Sequence, residues 1–187
     1  MRVNRLLEVD GLDVAFPDGK DGWRKVVDGV SLSVGAGERV GLVGESGSGK
    51  SLTALAILGL VPEPGEIRAG LVAIDGVRSD EVPGYRGGVV GLVLQEAGSA
   101  LNPVYSVGFQ LVETLETHGI AGGGQARTRA LALLAEVALD EPEAIFAAYA
   151  HQLPGSQAQR VMLALPLAGE PQCIVADEPP TALDVIT

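Results

Sequence analysis

The stretch GLVGESGSGKSLTALAIL, residues 41–58, decides the fold class of this chain. It contains the pattern GxxxxGK[ST] in full, between a short apolar run, residues 40–43, and a Leu- and Ala-rich segment, residues 51–60. The apolar run predicts a buried strand, and the second segment predicts a helix that Pro62 and Pro64 stop. A strand, a glycine-rich loop and a helix in this order predict a phosphate-binding loop.

The residue types in this loop suit a nucleotide. Glycines allow several backbone N–H groups to converge on phosphate oxygens, and the helix that begins near Lys50 points the positive end of its dipole at them. Lys50 offers a charge to the β- and γ-phosphates, and Ser51 offers a hydroxyl to Mg²⁺. The alternative, a Gly/Ser-rich turn without a ligand, is disfavoured because the motif and its flanks coincide. The predicted ATP-binding residues of the loop are Gly44, Glu45, Ser46, Gly47, Ser48, Gly49, Lys50, Ser51 and Leu52.

A second run, CIVADE at residues 173–178, ends in two carboxylates. Its apolar residues predict a last buried strand, residues 174–176, that delivers Asp177 to the Mg²⁺ ion beside the phosphate loop. Glu178 is predicted to face the γ-phosphate and to polarise the attacking water as general base. A solvated acidic pair at a strand end is the alternative, and the phosphate loop upstream disfavours it.

Composition limits the class of protein. The chain has 187 residues, enough for one domain with a small subdomain, and 47% apolar residues fit a folded soluble protein. A net charge of -11 argues against binding to nucleic acid or to anionic lipid, since both need basic surfaces. The single Cys173 excludes an internal disulfide framework. No apolar stretch has the length of a signal-peptide core or a membrane span, so a cytoplasmic location is expected.

The remaining patterns predict an α/β domain whose N-terminal part is an antiparallel β subdomain. Alternating apolar residues predict strands at 7–16 and 26–34 with a turn at 17–19, followed by strands at 70–75 and 89–94, the latter buried. Helical spacing replaces the strand signals between about 107 and 149, with helices at 109–115 and 127–139. Gly122, Gly123 and Gly124 are predicted to be a flexible joint, and Pro166 is expected to kink or end a helix at 162–167.

Four stretches together resemble the nucleotide-binding subunit of ATP-binding cassette (ABC) transporters, in particular the oligopeptide/dipeptide importer branch. They are GESGSGKSLTAL from Gly44, LQEAGSALNPVYSVGFQL from Leu94, QRVMLALPLA from Gln159 and VADEPPTALDVIT from Val175. The resemblance implies a P-loop NTPase core with a helical insert, in one incomplete nucleotide-binding domain. Within it, residues 1–106 would be the β subdomain and P-loop core, 107–168 the helical subdomain with the signature, and 169–187 the Walker B segment and D-loop.

The resemblance also implies roles for single residues. Phe16 would stack on the adenine ring, although a buried strand aromatic is the alternative. Gln95 would reach Mg²⁺ or the attacking water and would be a catalytic residue with Glu178, or it would simply be a polar strand end. Asp184 would be the D-loop carboxylate that crosses to the partner subunit, or a surface carboxylate. Residues 101–105, LNPVY, would lie near the groove that receives a permease segment, or would form an ordinary proline turn.

The chain departs from the family pattern at the signature, usually a Leu-Ser-Gly-Gly-Gln type. Leu153, Pro154, Gly155, Ser156 and Gln157 stand at this position, where the resemblance implies a helix N-terminus that faces the γ-phosphate held by the other subunit. Pro154 removes a hydroxyl and an N–H, and Ser156 adds a Cβ where the family uses glycine. We expect the helix to form, because proline suits a helix start, and the phosphate contact to lose a few kcal/mol.

The sequence also allows predictions for the two histidines and for the C-terminal residues. His118 and His151 are predicted to be surface or packing residues, since neither has metal-ligating neighbours in the sequence. Pro180 replaces a residue type with a hydroxyl in the family pattern. The family continues past the D-loop to another strand and a switch histidine, so the C-terminal part of the core is expected to be missing.

Two classes of function follow. The first is an ATP-hydrolysing subunit of an importer, with peptides as cargo, ATP and Mg²⁺ as cofactors, and a second ABC subunit (a homo- or heterodimer) and permease subunits as partners. Its place would be the inner face of the cell membrane, reached only through the permease. The second is a degenerate or truncated nucleotide-binding module with little or no ATPase activity. Cassette ATPases of DNA repair or translation fit less well, because they bring cysteine clusters, tandem cassettes or basic surfaces.

Overall fold

The computed structural model describes residues 5–19, 22–94 and 100–178 of the chain. Contacts divide the chain into two compact units, Met1–Tyr85 and Arg86–Thr187. None of the helices in these described ranges combines the length and the apolar character that crossing a bilayer requires.

The first unit is built on a four-stranded sheet. Its strands are β1 (Arg5–Pro17), β2 (Trp23–Gly35), β3 (Glu66–Ile74) and β4 (Val77–Arg78), in the order β2-β1-β3-β4. All three pairings are antiparallel, and Val9 of β1 lies opposite Leu32 of β2 and Val72 of β3. The predicted antiparallel β subdomain and the turn between its first two strands are therefore confirmed.

The core of the first unit lies on one face of β1. Leu7 and Val9 are buried with the period of two expected for a strand, and after an irregularity in register between Val9 and Leu12 the buried residues are Leu12, Val14 and Ala15. Helix α1 (Lys50–Ile57) adds Ala54, Ala56 and Ile57 to the buried residues. The hydroxyl of Tyr85 donates to the carbonyl of Ile57 at 2.9 Å and so ties the end of α1 to the end of this unit.

The predicted buried strand at residues 40–43 is wrong. Residues 38–45 have no regular secondary structure. Val40 and Leu42 are about half exposed, and Val43 is 91% exposed. A short strand in a parallel sheet takes its burial and its hydrogen bonds from neighbouring strands, and no strand of the described residues pairs with this segment.

Within its described residues, the second unit combines a parallel pair of strands with four α-helices. Strand β5 (Val90–Val93) pairs with β6 (Cys173–Ala176), and the helices are α2 (Val107–Thr117), α3 (Gly123–Glu136), α4 (Pro142–Ala147) and α5 (Gly155–Ala168). The helices enclose an apolar core whose most buried members include Val107, Leu111, Leu115, Leu134, Val161 and Ala164. The predicted helical insert is thus confirmed, and the described residues are of mixed α/β type, as predicted.

Three local expectations in this unit need correction. Gly123 and Gly124 are not a joint but the first residues of α3, and the Gly123 N–H donates to the Glu116 carboxylate at 3.0 Å. Of the two alternatives predicted for Pro166, a kink or an end of the helix, the end is wrong, because α5 continues to Ala168. A proline in the last turn removes a single helical hydrogen bond, and Gly91 of β5 leaves room for its ring, since a Cβ at Gly91 would lie 3.2 Å from the Pro166 Cβ.

Strand β6 is also less buried than predicted. Ile174 is 39% exposed and Cys173 is half-buried, whereas Val90 and Val93 of the paired strand are fully covered. Partial burial still raises the pKa of the Cys173 thiol. The difference arises because β5 is covered by α5, while among the described strands β6 pairs with β5 alone.

Candidate functional site

The phosphate loop is a tight turn between residue 44 and the first turn of α1. Gly47 and Gly49 have φ of 78° and 91°, in the left-handed region that glycine adopts without strain. The Ser48 N–H donates to the Glu45 carbonyl at 3.2 Å and closes the turn. Helix α1 then begins at Lys50, so the loop ends at a helix N-terminus as the sequence predicts.

Two glycines of the loop leave no room for a side chain. A Cβ at Gly44 would lie 2.7 Å from the Ser48 Oγ, and a Cβ at Gly49 would lie 2.9 Å from the Val26 carbonyl oxygen of β2. Both distances are shorter than a normal van der Waals contact. At Gly49 the atom in the way belongs to the backbone, whereas at Gly44 it is the Ser48 hydroxyl, which would have to rotate away. The resulting backbone cradle fits a phosphate chain, because its N–H groups are not screened by side chains.

Lys50 and Thr53 fix this cradle from the helix side. The Lys50 Nζ donates to the carbonyls of Gly44 and Glu45 at 3.0 and 2.8 Å, so the ammonium group lies against the loop. The backbone N–H and the hydroxyl of the buried Thr53 both donate to the Gly49 carbonyl, at 2.8 and 2.9 Å. The first turn of α1 contains no acidic residue, so the helix dipole favours an anion there. Ser51 is exposed in the same turn.

Phe16 lies near the end of β1, opposite Arg24 of β2. Its ring packs against the backbone of Gly65, since a Cβ at Gly65 would lie 2.5 Å from the Phe16 Cζ. The side chain is half-buried, so part of the ring remains available as a flat apolar platform. Its role toward adenine stays a prediction.

The two carboxylates Asp177 and Glu178 follow β6. The Asp177 N–H donates to the Val93 carbonyl at 2.9 Å and extends the parallel ladder by one residue. Asp177 is half-buried and Glu178 is exposed. Both therefore lie at the carboxyl end of a parallel pair, where α/β proteins bind their ligands.

Glu178 also has an unusual backbone conformation. Its φ is 46°, in the left-handed region. This conformation costs a residue with a side chain roughly 1–2 kcal/mol. Asp75, Ala138, Glu141 and Glu170 have a similar φ, so the conformation does not distinguish Glu178, and its catalytic role stays a prediction.

The signature helix α5 begins as expected. Pro154 precedes its first residue with φ −53° and ψ 147°, and its carbonyl accepts the N–H groups of Gln157 and Ala158 at 2.9 and 3.0 Å. Pro154, Gly155 and Ser156 are exposed, and a Cβ at Gly155 would meet no atom within 4 Å. The helix N-terminus is therefore open, and proline at this position is compatible with the fold.

Arg160 and Gln110 stabilise the signature helix and the loop at residues 102–106, respectively. No role was predicted for either residue from the sequence. The Arg160 Nη1 donates to the Ala138 carbonyl, just after α3, and so ties the signature helix to its neighbour. Gln110 is buried and bonds to the backbone of the loop at residues 102–106. Both residues bind backbone carbonyl or N–H groups, which every residue carries, so sequence alone offers no signal for these contacts.

The histidines behave as predicted. His118 is half-buried and packs beside Gly87, where a Cβ would lie 2.6 Å from its Nε2. His151 is exposed, and its ring stacks on Tyr149 with 5.8 Å between centroids. The predicted residues Gln95, Pro180 and Asp184 lie outside the described residues.

The whole chain is similar to known ATP-binding proteins of peptide transport. Dipeptide transport ATP-binding protein DppD of Escherichia coli is 42% identical over 185 residues, which are 96% of this chain and 56% of that protein. Oligopeptide transport ATP-binding protein OppD of Mycobacterium tuberculosis is 41% identical over 188 residues, 98% of this chain and 31% of that protein. The chain thus spans about half the length of DppD, or less of its longer relatives.

The fold of this chain is similar to that of a solved structure. The ATP-binding cassette MJ0796, in a dimeric post-hydrolysis state bound to ADP and Pi, has a TM-score of 0.79 at 28% identity, and the alignment covers 96% of this chain and 76% of that one. The family model described as "ABC transporter" matches residues 27–181, which include the phosphate loop, the signature segment and the acidic strand end. The chain belongs to the ABC transporter family.

Proposed function

We propose that this chain is the ATP-binding and ATP-hydrolysing part of a subunit that drives an ABC importer, with peptides as cargo. The observation that carries the proposal is the phosphate loop: a backbone cradle too tight for side chains, held by Lys50 and ending at a helix N-terminus. The cargo class rests on the similarity to dipeptide and oligopeptide transport ATP-binding proteins.

The proposal assigns a role to each predicted residue. The loop amides bind the phosphates, Lys50 neutralises charge between the β- and γ-phosphates, and Phe16 stacks on adenine. Ser51 and Asp177, with Gln95, hold Mg²⁺, which when bound withdraws negative charge from the phosphate oxygens. Glu178 accepts a proton from the water that attacks the γ-phosphorus in line, while the bond to the β-phosphate oxygen breaks.

The proposal also includes partners. A second ABC subunit supplies its signature helix to the nucleotide bound here, and Pro154, Gly155 and Ser156 of this chain face the nucleotide of that subunit. Support comes from the open N-terminus of α5 and from the dimeric cassette of similar fold. Permease subunits would hold the assembly at the inner face of the membrane. Residues 1–106, 107–168 and 169–187 are proposed as the parts of one nucleotide-binding domain.

ATP turnover measured beside ATP affinity tests this function. We expect micromolar-range binding of Mg-ATP and a turnover clearly above that of a Glu178→Gln variant, which keeps the shape of the side chain and removes the base. Tight binding with a turnover equal to that of Glu178→Gln would exclude an active ATPase. Failure to bind ATP would exclude any nucleotide-dependent role.

A second candidate function has one observation in its favour: the signature of this chain lacks a hydroxyl and an N–H at Pro154 and carries a Cβ at Ser156. A nucleotide-binding module with little ATPase activity would fit these changes. The double variant Pro154→Ser, Ser156→Gly separates the two candidates. If the signature limits the reaction, turnover of the dimer rises roughly tenfold or more, as expected for a restored charge-assisted donor, while the ATP affinity of the monomer stays constant. Unchanged turnover would mean that another part of the chain, and not the signature, limits the rate of ATP hydrolysis.

A further inference from the structure

Within the described strands of the first sheet, one basic side chain has no carboxylate partner. The other basic residues of β1 to β4, which are Arg5, Lys25, Arg68 and Arg78, each lie 3.0 Å or less from a carboxylate oxygen. Arg24 of β2 is exposed, and among the described residues no hydrogen bond or ion pair holds its guanidinium group. A ligand can therefore engage Arg24 without breaking an ion pair of the sheet.

The register of the sheet places Arg24 beside Phe16. The two residues lie directly opposite each other in β2 and β1, so their side chains project from the same face of the sheet, with Cβ atoms about 4.5–5.5 Å apart. The Phe16 ring packs against Gly65, and the side chain is half-buried. A flat molecule that stacks on the uncovered part of this ring therefore lies next to Arg24.

The phosphate loop packs against the same face of β2. Val27 and Arg24 pair with Val14 and Phe16 of β1, and residues two apart in a strand share a face. A Cβ at Gly49, at the end of the loop, would lie 3.3 Å from the Val27 Cγ2. Because two residues of a strand span about 7 Å, a nucleotide can bridge the two positions. A nucleotide whose phosphates occupy the loop thus places its base at the level of Phe16 and Arg24.

Phe16 alone does not distinguish one base from another. An aromatic ring stacks on the face of any base, whereas hydrogen bonds to the edge of a base discriminate between bases. A guanidinium group carries donors only. Guanine has two adjacent acceptors, N7 and O6, that bind both arms of an arginine, whereas adenine has an N6 amino donor beside its N7 acceptor. A guanidinium group beside the stacked base therefore favours guanine.

We infer that Arg24 is a specificity-determining residue: it recognises the edge of the base that stacks on Phe16, and the site binds GTP more tightly than ATP. This inference rests on the proposed function, because it names the base of the nucleotide held at the proposed phosphate loop. Two N–H groups of Arg24 donate to guanine N7 and O6. Since Arg24 is exposed, the preference is about fivefold, at the lower end of the range for a bidentate contact.

Dissociation constants of Mg-ATP, Mg-GTP and Mg-7-deaza-GTP, measured by titration calorimetry on the full-length protein, test the inference. 7-Deaza-GTP carries a C–H group in place of the N7 acceptor and is otherwise the same nucleotide. We expect GTP to bind about fivefold more tightly than ATP, and 7-deaza-GTP to lose most of this advantage. In Arg24→Met, which keeps an unbranched side chain and removes the donors, GTP and ATP should bind equally, with little change in the affinity for ATP.

Two further variants separate a contact with the base from an effect of charge or fold. Arg24→Lys keeps the positive charge but lacks the planar fork, so it should lose most of the preference for guanine. Arg68→Met is the control: Arg68 stacks on Trp23, the neighbour of Arg24 in β2, and successive side chains of a strand point to opposite faces. It should keep the wild-type ratio of GTP to ATP affinity. Thermal midpoints of both Arg24 variants should stay near the wild-type value, because Arg24 is exposed.

The inference and the proposed function fail in different ways. An equal ratio of GTP to ATP affinity in the wild type and in Arg24→Met overturns the inference and leaves the proposed function standing. So does an equal loss of both affinities in Arg24→Met, because the side chain would then act on the phosphates, which both nucleotides share.

A wild-type ratio in Arg24→Lys also overturns the inference, since charge alone would then be sufficient, as does equal binding of 7-deaza-GTP and GTP. If neither ATP nor GTP binds, the proposed function fails and the inference fails with it. A guanine preference that both Arg24 variants lose supports the inference even if neither nucleotide is hydrolysed, which would exclude only the proposed ATPase.

Discussion

At the scale of single residues, the phosphate loop depends on glycines at which an added Cβ atom would overlap with neighbouring atoms. Gly49 combines a φ of 91° with a Cβ position 2.9 Å from the Val26 carbonyl oxygen. Both features act on the same residue, which also provides the carbonyl that Thr53 binds. The motif pattern predicted the need for glycine here, but the contact with β2 became visible only in the structure.

We therefore expect Gly49→Ala to weaken ATP binding at least tenfold and to lower stability by about 1–2 kcal/mol, the cost of the left-handed conformation. Titration with a fluorescent ATP analogue and thermal denaturation measure the two effects. Gly122→Ala is the control, because a Cβ there meets no atom within 4 Å and the φ is −133°. Equal affinity of the Gly49→Ala and Gly122→Ala variants would contradict the cradle.

At the scale of elements, the β1–β2 hairpin is fastened by a charged cluster. The Lys25 Nζ lies 2.7 Å from the Asp13 Oδ2 and 2.8 Å from the Asp28 Oδ1, and the Gly29 N–H donates to the Asp13 Oδ1 at 2.7 Å. The hydrogen bond from Lys25, with that from Gly29, lowers the pKa of the Asp13 carboxyl. Asp13 therefore stabilises the fold in its charged form, although exposure to solvent limits the effect.

The sign of the resulting pH dependence follows from linkage. A carboxyl whose pKa is lowered in the folded state contributes stability above its unfolded pKa of about 3.9 and loses it as the pH falls through the folded value. We expect Asp13→Asn to have a lower thermal midpoint than the wild type at pH 7, with a difference that shrinks below about pH 4. Asp140→Asn, at an exposed position, should show no such trend. A difference that persists unchanged at pH 2–3 would contradict the role of the Asp13 charge.

The strands and helices also show which parts of the fold the sequence patterns could predict. The two hairpin strands and the helix at 109–115 were predicted from their periodicity, and the structure contains them with longer bounds. The helix predicted at 127–139 is shifted to Gly123–Glu136, and no helix was predicted at Pro142–Ala147. Residues 40–43 are apolar without being buried, because burial of so short a run depends on neighbours far away in the sequence. Helix α3 begins at Gly123, whose N–H donates to a carboxylate seven residues earlier, a contact that no local pattern predicts.

At the scale of the whole molecule, nucleotide binding is expected to stabilise the chain. A ligand that binds only the folded state adds about 2.7 kcal/mol when its concentration is 100 times the dissociation constant. Mg-ATP should therefore raise the thermal midpoint by several degrees, since about 1 kcal/mol corresponds to 2–4 °C in a domain of this size. Omission of Mg²⁺ should reduce the shift if Ser51 and Asp177 bind the ion.

Lys50→Ala provides the control, because it removes the ammonium group that lies against the loop. Its midpoint without ligand should be near that of the wild type, and the shift with Mg-ATP should be largely lost. A full shift in Lys50→Ala would mean that ATP binds at another place on the chain.

The left-handed backbone conformation of Glu178 affects which residues selection would favour at this position. Glycine at this position would relax a φ of 46° and gain about 1 kcal/mol of stability, yet it would supply no carboxylate. If Glu178 is the general base, as proposed, selection for stability alone would favour its replacement, whereas selection for ATP hydrolysis would retain it. In related sequences that no longer hydrolyse ATP, we expect glycine or asparagine in place of Glu178.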